Sequence, residues 1–195
     1  MKWIAVAILV CLVPYTYLNL KYRKPNPSSE PYADMKNRAG VMRLLAAGYQ
    51  RIELTALRPM DPRAFKPERP TATSIEVPGG LPPVLSETLI DKPLVPAEIL
   101  RVQATAAVST ATPYMIQFTC AQPQLAEQFA AVEAYVHGDK ITIVPDFERL
   151  DGALQSRFLE TTVELALPAG VLKPGHYEVT LIGARRSRQW TLDVR

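Results

Sequence analysis

From Glu98 to the C-terminus, apolar side chains recur at every second position, and that rhythm restricts the possible folds more than any other feature. Tyr114, Ile116, Phe118 and Cys120 alternate with Met115, Gln117 and Thr119. Leu100, Val102, Ala104 and Ala106 follow the same rule, as do Val132, Ala134 and Val136, and then Ile141 and Ile143. Further runs are Thr161, Val163, Leu165 and Leu167; Tyr177, Val179 and Leu181; and Trp190, Leu192 and Val194. Successive side chains of a strand point to opposite faces, so each run reads as a strand with one face in a core. Between two of these runs, Gly138-Asp139 predicts a two-residue hairpin turn with glycine first. Residues 123–131 also admit one or two helical turns, since Leu125, Phe129 and Val132 fit that spacing. With another alternating run over residues 50–58, there are about eight short strands, which is the signal for a sandwich or barrel. The expected fold is mainly β, with an antiparallel β-sandwich over residues 98–195.

Proline divides that region from what precedes it. Nine of the eighteen prolines fall between Pro59 and Pro96. A residue without a backbone donor does not sit in a central sheet or a continuous helix. Residues 49–97 therefore read as a first strand, with Ile52, Leu54 and Ala56 on its inner face, followed by a long connection holding one short strand near residues 74–77. Before it, residues 32–47 show helical spacing at Met35, Val41, Leu44 and Leu45, and Gly48 is placed to end the helix. Residues 21–48 thus form a basic, proline-stiffened spacer and a short juxtamembrane helix.

The juxtamembrane label follows from the first twenty residues. Residues 3–20 carry no charge, and as a helix they would extend about 27 Å, close to the ~30 Å hydrocarbon core. Trp3, Tyr15, Tyr17 and Tyr22 lie near its ends, as interfacial aromatics do. The exit, Lys21-Tyr-Arg-Lys24, lacks the small residues of a cleavage site. Val10 before Cys11 does not suit a lipoprotein signal. The expectation is an uncleaved single-pass transmembrane helix, a signal-anchor in contact with membrane lipid. Two arguments about its direction conflict. The cluster Lys21, Arg23 and Lys24 favours a cytoplasmic domain, whereas a short positively charged tail favours an extracytoplasmic one. The reading adopted is extracytoplasmic.

Charge is distributed unevenly along the chain. Residues 1–72 carry 12 Lys/Arg and 5 Asp/Glu, while residues 73–195 carry 10 and 14. The net of +7 and the net of −4 sum to +3. A nucleic-acid-binding domain would carry its basic face on the folded body, so no nucleic-acid partner is expected. The two cysteines, Cys11 and Cys120, cannot form an intradomain framework.

No catalytic or cofactor pattern is present. Glu133, His137 and Asp139 are the strongest metal or acid–base candidates, but they lack a recognised ligand spacing. His176 sits in a turn, Cys120 on an apolar face, and Asp146-Phe-Glu-Arg-Leu-Asp151 lacks the periodicity of a calcium loop. Pro78-Gly-Gly lacks the downstream residues of a phosphate loop. Arg185, Arg186 and Arg188 cluster in the last hairpin and are the candidate contact for an anion or partner.

The passage from Leu167 to Leu181, with Lys173-Pro-Gly-His-Tyr177 at its centre, resembles the penultimate-strand region of immunoglobulin-like and fibronectin-type sandwiches. There a tyrosine at the start of a strand bonds back to the backbone. The resemblance covers about the last 100 residues and implies architecture alone. The chain is expected to be a non-enzymatic protein that presents a β-sandwich to a protein partner in an envelope assembly, without a cofactor. A carbohydrate- or lipid-binding module, marked by an exposed Trp190 with Tyr135 or Tyr114, is the first rival. A membrane-anchored enzyme is the second.

Overall fold

Among the described residues the alternating runs become eleven strands. The computed structural model describes residues 2–3, 11–17, 21, 31–57, 72–122, 124–152, 154–156 and 159–195. It separates into a unit of residues 1–37 and a unit of residues 38–195.

In the first unit, residues 2–3, 11–17 and 21 are helical. Thr16 donates its hydroxyl to the carbonyl of Leu12 at 2.7 Å, and the Lys21 ammonium lies 5.7 Å from the Tyr17 ring centre. A crossing helix needs about twenty residues. Among the described residues no helix is long and apolar enough to cross a membrane. This corrects the expected transmembrane signal-anchor. Residues 4–10 and 18–20 of that segment lie outside the described residues, as do Arg23 and Lys24.

Helix α1 is Pro31–Ala46. Of the four residues expected to share its apolar stripe, only Leu44 is buried; Met35, Val41 and Leu45 are exposed. Gly48 ends the helix with φ +79°, a left-handed conformation that costs glycine little. The amide of Gly48 donates to the Leu45 carbonyl, and that of Tyr49 to the Leu44 carbonyl at 2.8 Å. These two bonds form the Schellman arrangement, and Tyr49 packs in one cluster with Leu44.

The strands are β1 (Gln50–Glu53), β2 (Thr55–Leu57), β3 (Ile75–Pro78), β4 (Glu98–Ala104), β5 (Ala107–Val108), β6 (Tyr114–Ala121), β7 (Glu127–His137), β8 (Lys140–Arg149), β9 (Glu160–Leu167), β10 (Gly175–Leu181) and β11 (Arg186–Val194). A short helix, α2 (Pro83–Thr88), interrupts the proline-rich connection. It begins where proline is tolerated, because the first helical residue needs no amide donor. Residues 123–131 do not form a helix: β7 starts at Glu127, and Pro123 lies outside the described residues.

Strand order in the sheet is β1-β7-β8-β10-β11-β4-β6-β9-β2, with β3 and β5 paired to β11. The expected sandwich is therefore corrected to one nearly closed, barrel-like sheet. Closure depends on the run 50–57. Its first half pairs with β7, Ile52 opposite Ala134, and its second half pairs with β9, Ala56 opposite Leu165. The two ends of the strand order are thus joined by one segment. The sheet is also not purely antiparallel, since β8 pairs with β10 and β11 with β4 in parallel. Sandwiches and barrels share the same alternation along each strand, so the inward pattern alone does not separate them.

The interior holds Phe118, Ile116, Leu165, Val163, Leu181 and Leu192, all almost fully buried. Leu100 does not join them. A bulge between Ile99 and Arg101 reverses the pattern, so Ile99 and Val102 face inward and Leu100 is partly exposed. The β7–β8 turn places Gly138 at φ +63°, a sign that Asp139 does not share, which is the type II′ geometry. Strand β8 is buried on both faces over Ile141–Pro145, because Val144 packs outside the sheet with Leu44, Tyr49, Leu85, Tyr135 and Ile182. Pro145 is tolerated because the β10 ladder along β8 ends at Ile143.

Candidate functional site

The outer face of β1, β7 and β8 carries a linked set of polar groups. Arg51 on β1 stands beside Glu133 on β7, and its guanidinium donates to Glu133 Oε1. The Tyr135 hydroxyl donates to the other oxygen, Oε2. Both atoms of the carboxylate are thus engaged by the chain itself. Residues 133 and 135 share a face because they are two apart on a strand. Burial raises the Tyr135 pKa well above its ordinary value, and the neighbouring Glu133 carboxylate pushes it further.

Asp146, near the end of β8, accepts the Leu94 amide at 2.8 Å on Oδ1. Its pKa lies above the ordinary aspartate value. Partial burial is the main cause, opposed by the Leu94 amide and reinforced by Glu133. The run from Asp146 to Arg149 is the last part of strand β8.

His137 closes β7 and stacks on Tyr49, with ring centres 4.9 Å apart and tilted by 40°. It lies four residues from Glu133, or about 13 Å along the strand. Asp139 sits in the turn, where its carbonyl accepts the Glu178 amide. The structure therefore does not gather Glu133, His137 and Asp139 into one ligand set. Among the described residues no group of three or more His, Cys, Asp or Glu could hold a metal ion. Exposed His176 lies 3.3 Å from Asp193. Cys120 is buried, and its thiol donates to the Thr161 carbonyl at 3.6 Å.

No family model matches the chain, and neither a curated protein nor a solved structure is similar to it.

The three arginines of the last hairpin are brought together, but with acidic partners from their own domain. Arg185 lies 3.0 Å from Glu98, Arg186 3.6 Å from Glu76, and Arg188 3.4 Å from Glu76. Arg188 also donates to the carbonyls of Ile99 and Leu100, at the bulge that turns Leu100 outward. Its first role is thus to hold β11 against the irregular start of β4. Trp190 is 2 % exposed, and its indole N–H donates to the Tyr114 hydroxyl, which in turn donates to the Thr105 carbonyl. Tyr114 and Tyr135 are buried as well. The aromatic platform that a carbohydrate-binding reading places at these three residues is absent. Tyr177 does make the back-bond of a tyrosine corner, to the Lys173 carbonyl at 3.0 Å, within a barrel-like sheet rather than a sandwich.

Sequence reasoning missed Arg51 and Tyr135 as partners of Glu133. The Arg51 contact depends on β1 lying against β7, which no local pattern encodes, whereas Tyr135 stands two residues from Glu133 on the same strand and its place on that face follows from alternation.

Proposed function

We propose that this chain is a non-enzymatic protein-binding module whose barrel-like body presents an outer helical layer to a protein partner. The observation that supports this reading is a set of large apolar side chains left outside the core on two neighbouring elements. Val41, Met42 and Leu45 of α1 are exposed, Met42 at 68 %, as are Val84 at the start of α2 and Ile90 just beyond its end. The two elements are adjacent: Arg43 donates to the Glu87 carbonyl, and a Cβ at Gly40 would lie 3.6 Å from the Ile90 side chain. Contiguous exposed apolar surface marks contact sites, and methionine adapts to varied partner shapes. The paired state of Glu133, Tyr135 and the hairpin arginines supports a binding role over a catalytic one.

The test places a photo-crosslinking residue at position 42 of the full chain, with position 176 as an exposed control. The expected result is one adduct of defined mass from position 42 alone, abolished by Leu45→Asp while the melting temperature stays unchanged. Equal labelling at both positions, or none at position 42, would overturn the reading.

A further inference from the structure

The exposed face of α1 and α2 carries opposite charges on its two sides. A helix turns by about 100° per residue, so around α1 Arg38 falls about 40° to one side of Met42 and Arg43 about 100° to the other. By the same count Val41 and Leu45 lie on the Arg38 side. Helix α2 lies on the Arg43 side, since the Arg43 guanidinium donates to the Glu87 carbonyl at 3.0 Å. On α2, Leu85 and Thr88 are buried, whereas Val84 and Glu87, one helical turn apart, share the exposed side. Across the face the order is therefore Glu87 with Val84, then Met42, then Arg38 with Val41 and Leu45. All six are exposed, and among the described ion pairs none involves Arg38 or Glu87.

That order suits one kind of partner. Two copies that close about a two-fold axis bury the same patch twice, so each residue must be matched by whatever lies across the axis from it. With the axis at Met42, apolar side chains meet apolar side chains, and the Arg38 side of each copy covers the Glu87 side of the other. A patch with a single sign of charge would repel its own copy. Methionine at the axis is flexible enough to pack against a second methionine. Arg43 does not take the place of Arg38, because its guanidinium is held on the Glu87 backbone of its own chain.

We infer, on the basis of the binding role proposed above, that the protein partner covering this face is a second copy of this chain. Arg38 of each protomer pairs with Glu87 of its partner. Sedimentation velocity of the full chain tests this with Arg38→Glu, Glu87→Arg and an equimolar mixture of the two variants. The wild type is expected to pass from monomer to dimer between about 1 and 100 μM, as suits a small interface. Each variant alone sets like charges together at both ends of the interface and weakens the dimer about tenfold or more. The mixture sets opposite charges together at both ends and regains the dimer, which only a two-fold pairing of this patch gives. Melting temperatures stay at the wild-type value, since both residues are exposed. If a variant does not fold, the crosslink from position 42 carries the test, with an adduct of twice the chain's mass expected. A wild type that stays monomeric throughout that range, variants that associate as tightly as wild type, or a mixture no better than its components would each overturn the second copy. An adduct of any other mass would also overturn it while leaving the binding role standing, and no adduct at all would sink both.

Discussion

Asp146 and Arg188 show how single side chains here serve the sheet rather than a reaction. Burial raises the Asp146 pKa in the folded state, so its protonated form fits the fold better than its charged form. The stability linked to this group is full below the ordinary aspartate value and is lost as pH rises through the raised one. Asp146→Asn keeps an acceptor for the Leu94 amide and removes the titration. Its melting temperature relative to wild type is expected to improve between pH 4 and pH 7, as scanning calorimetry at the two values would show. The hairpin arginines make a second comparison. Arg185→Ala removes one exposed ion pair and is expected to cost under about 1 kcal/mol. Arg188→Met leaves two bulge carbonyls without a donor and is expected to cost about 1–3 kcal/mol in urea denaturation. The charges of residues 185–188 were legible in the sequence as a cluster. Their neutralisation was not, because Glu76 and Glu98 come from distant strands.

At the scale of elements, legibility followed locality. The face of Tyr114, Ile116, Phe118 and Cys120 needs only the two-residue period, and all four are buried. On β4, Val102 and Ala104 are buried as alternation places them, and Leu100 alone was misplaced, because a bulge inserts a residue that alternation cannot announce. Helix α2 spans six residues, too few to show a helical period, and its prolines were read as breakers although one occupies the helix start. The end of α1 was legible because glycine is the residue that a left-handed cap favours. Gly48→Ala would place a Cβ 3.2 Å from the His137 ring and force a side chain into φ +79°. The variant is expected to lose about 1–2 kcal/mol and to raise hydrogen exchange at Gly48 and Tyr49, whose amides close the cap.

For the whole molecule, closure of the sheet was the feature hidden from the sequence. Gln50 pairs with Val136 and Thr55 with Ala166, partners far away along the chain, and no local residue pattern specifies either contact. Ile52 lies in the core at the junction of the two halves. Ile52→Ala is expected to cost about 2–4 kcal/mol, against under about 0.5 kcal/mol for exposed Ile75→Ala. Because one run of chain serves both neighbours, the Ile52 variant should lose hydrogen-exchange protection at residues 133–136 and 164–166 together. Loss at one strand alone would mean that β1 and β2 are independent. Long-range pairing of this kind also predicts refolding in milliseconds to seconds.

A segment that is gripped on both sides can be severed and still find its place. If the chain is cut once between Leu57 and Ala72, residues 38–57 leave with the cap, the Arg51 partner of Glu133 and both halves of the closing run, and the remainder keeps their two docking edges. The two pieces are then a lock and its own key: separately expressed, they should reassemble on mixing, which would make this fold a natural starting point for a split reporter.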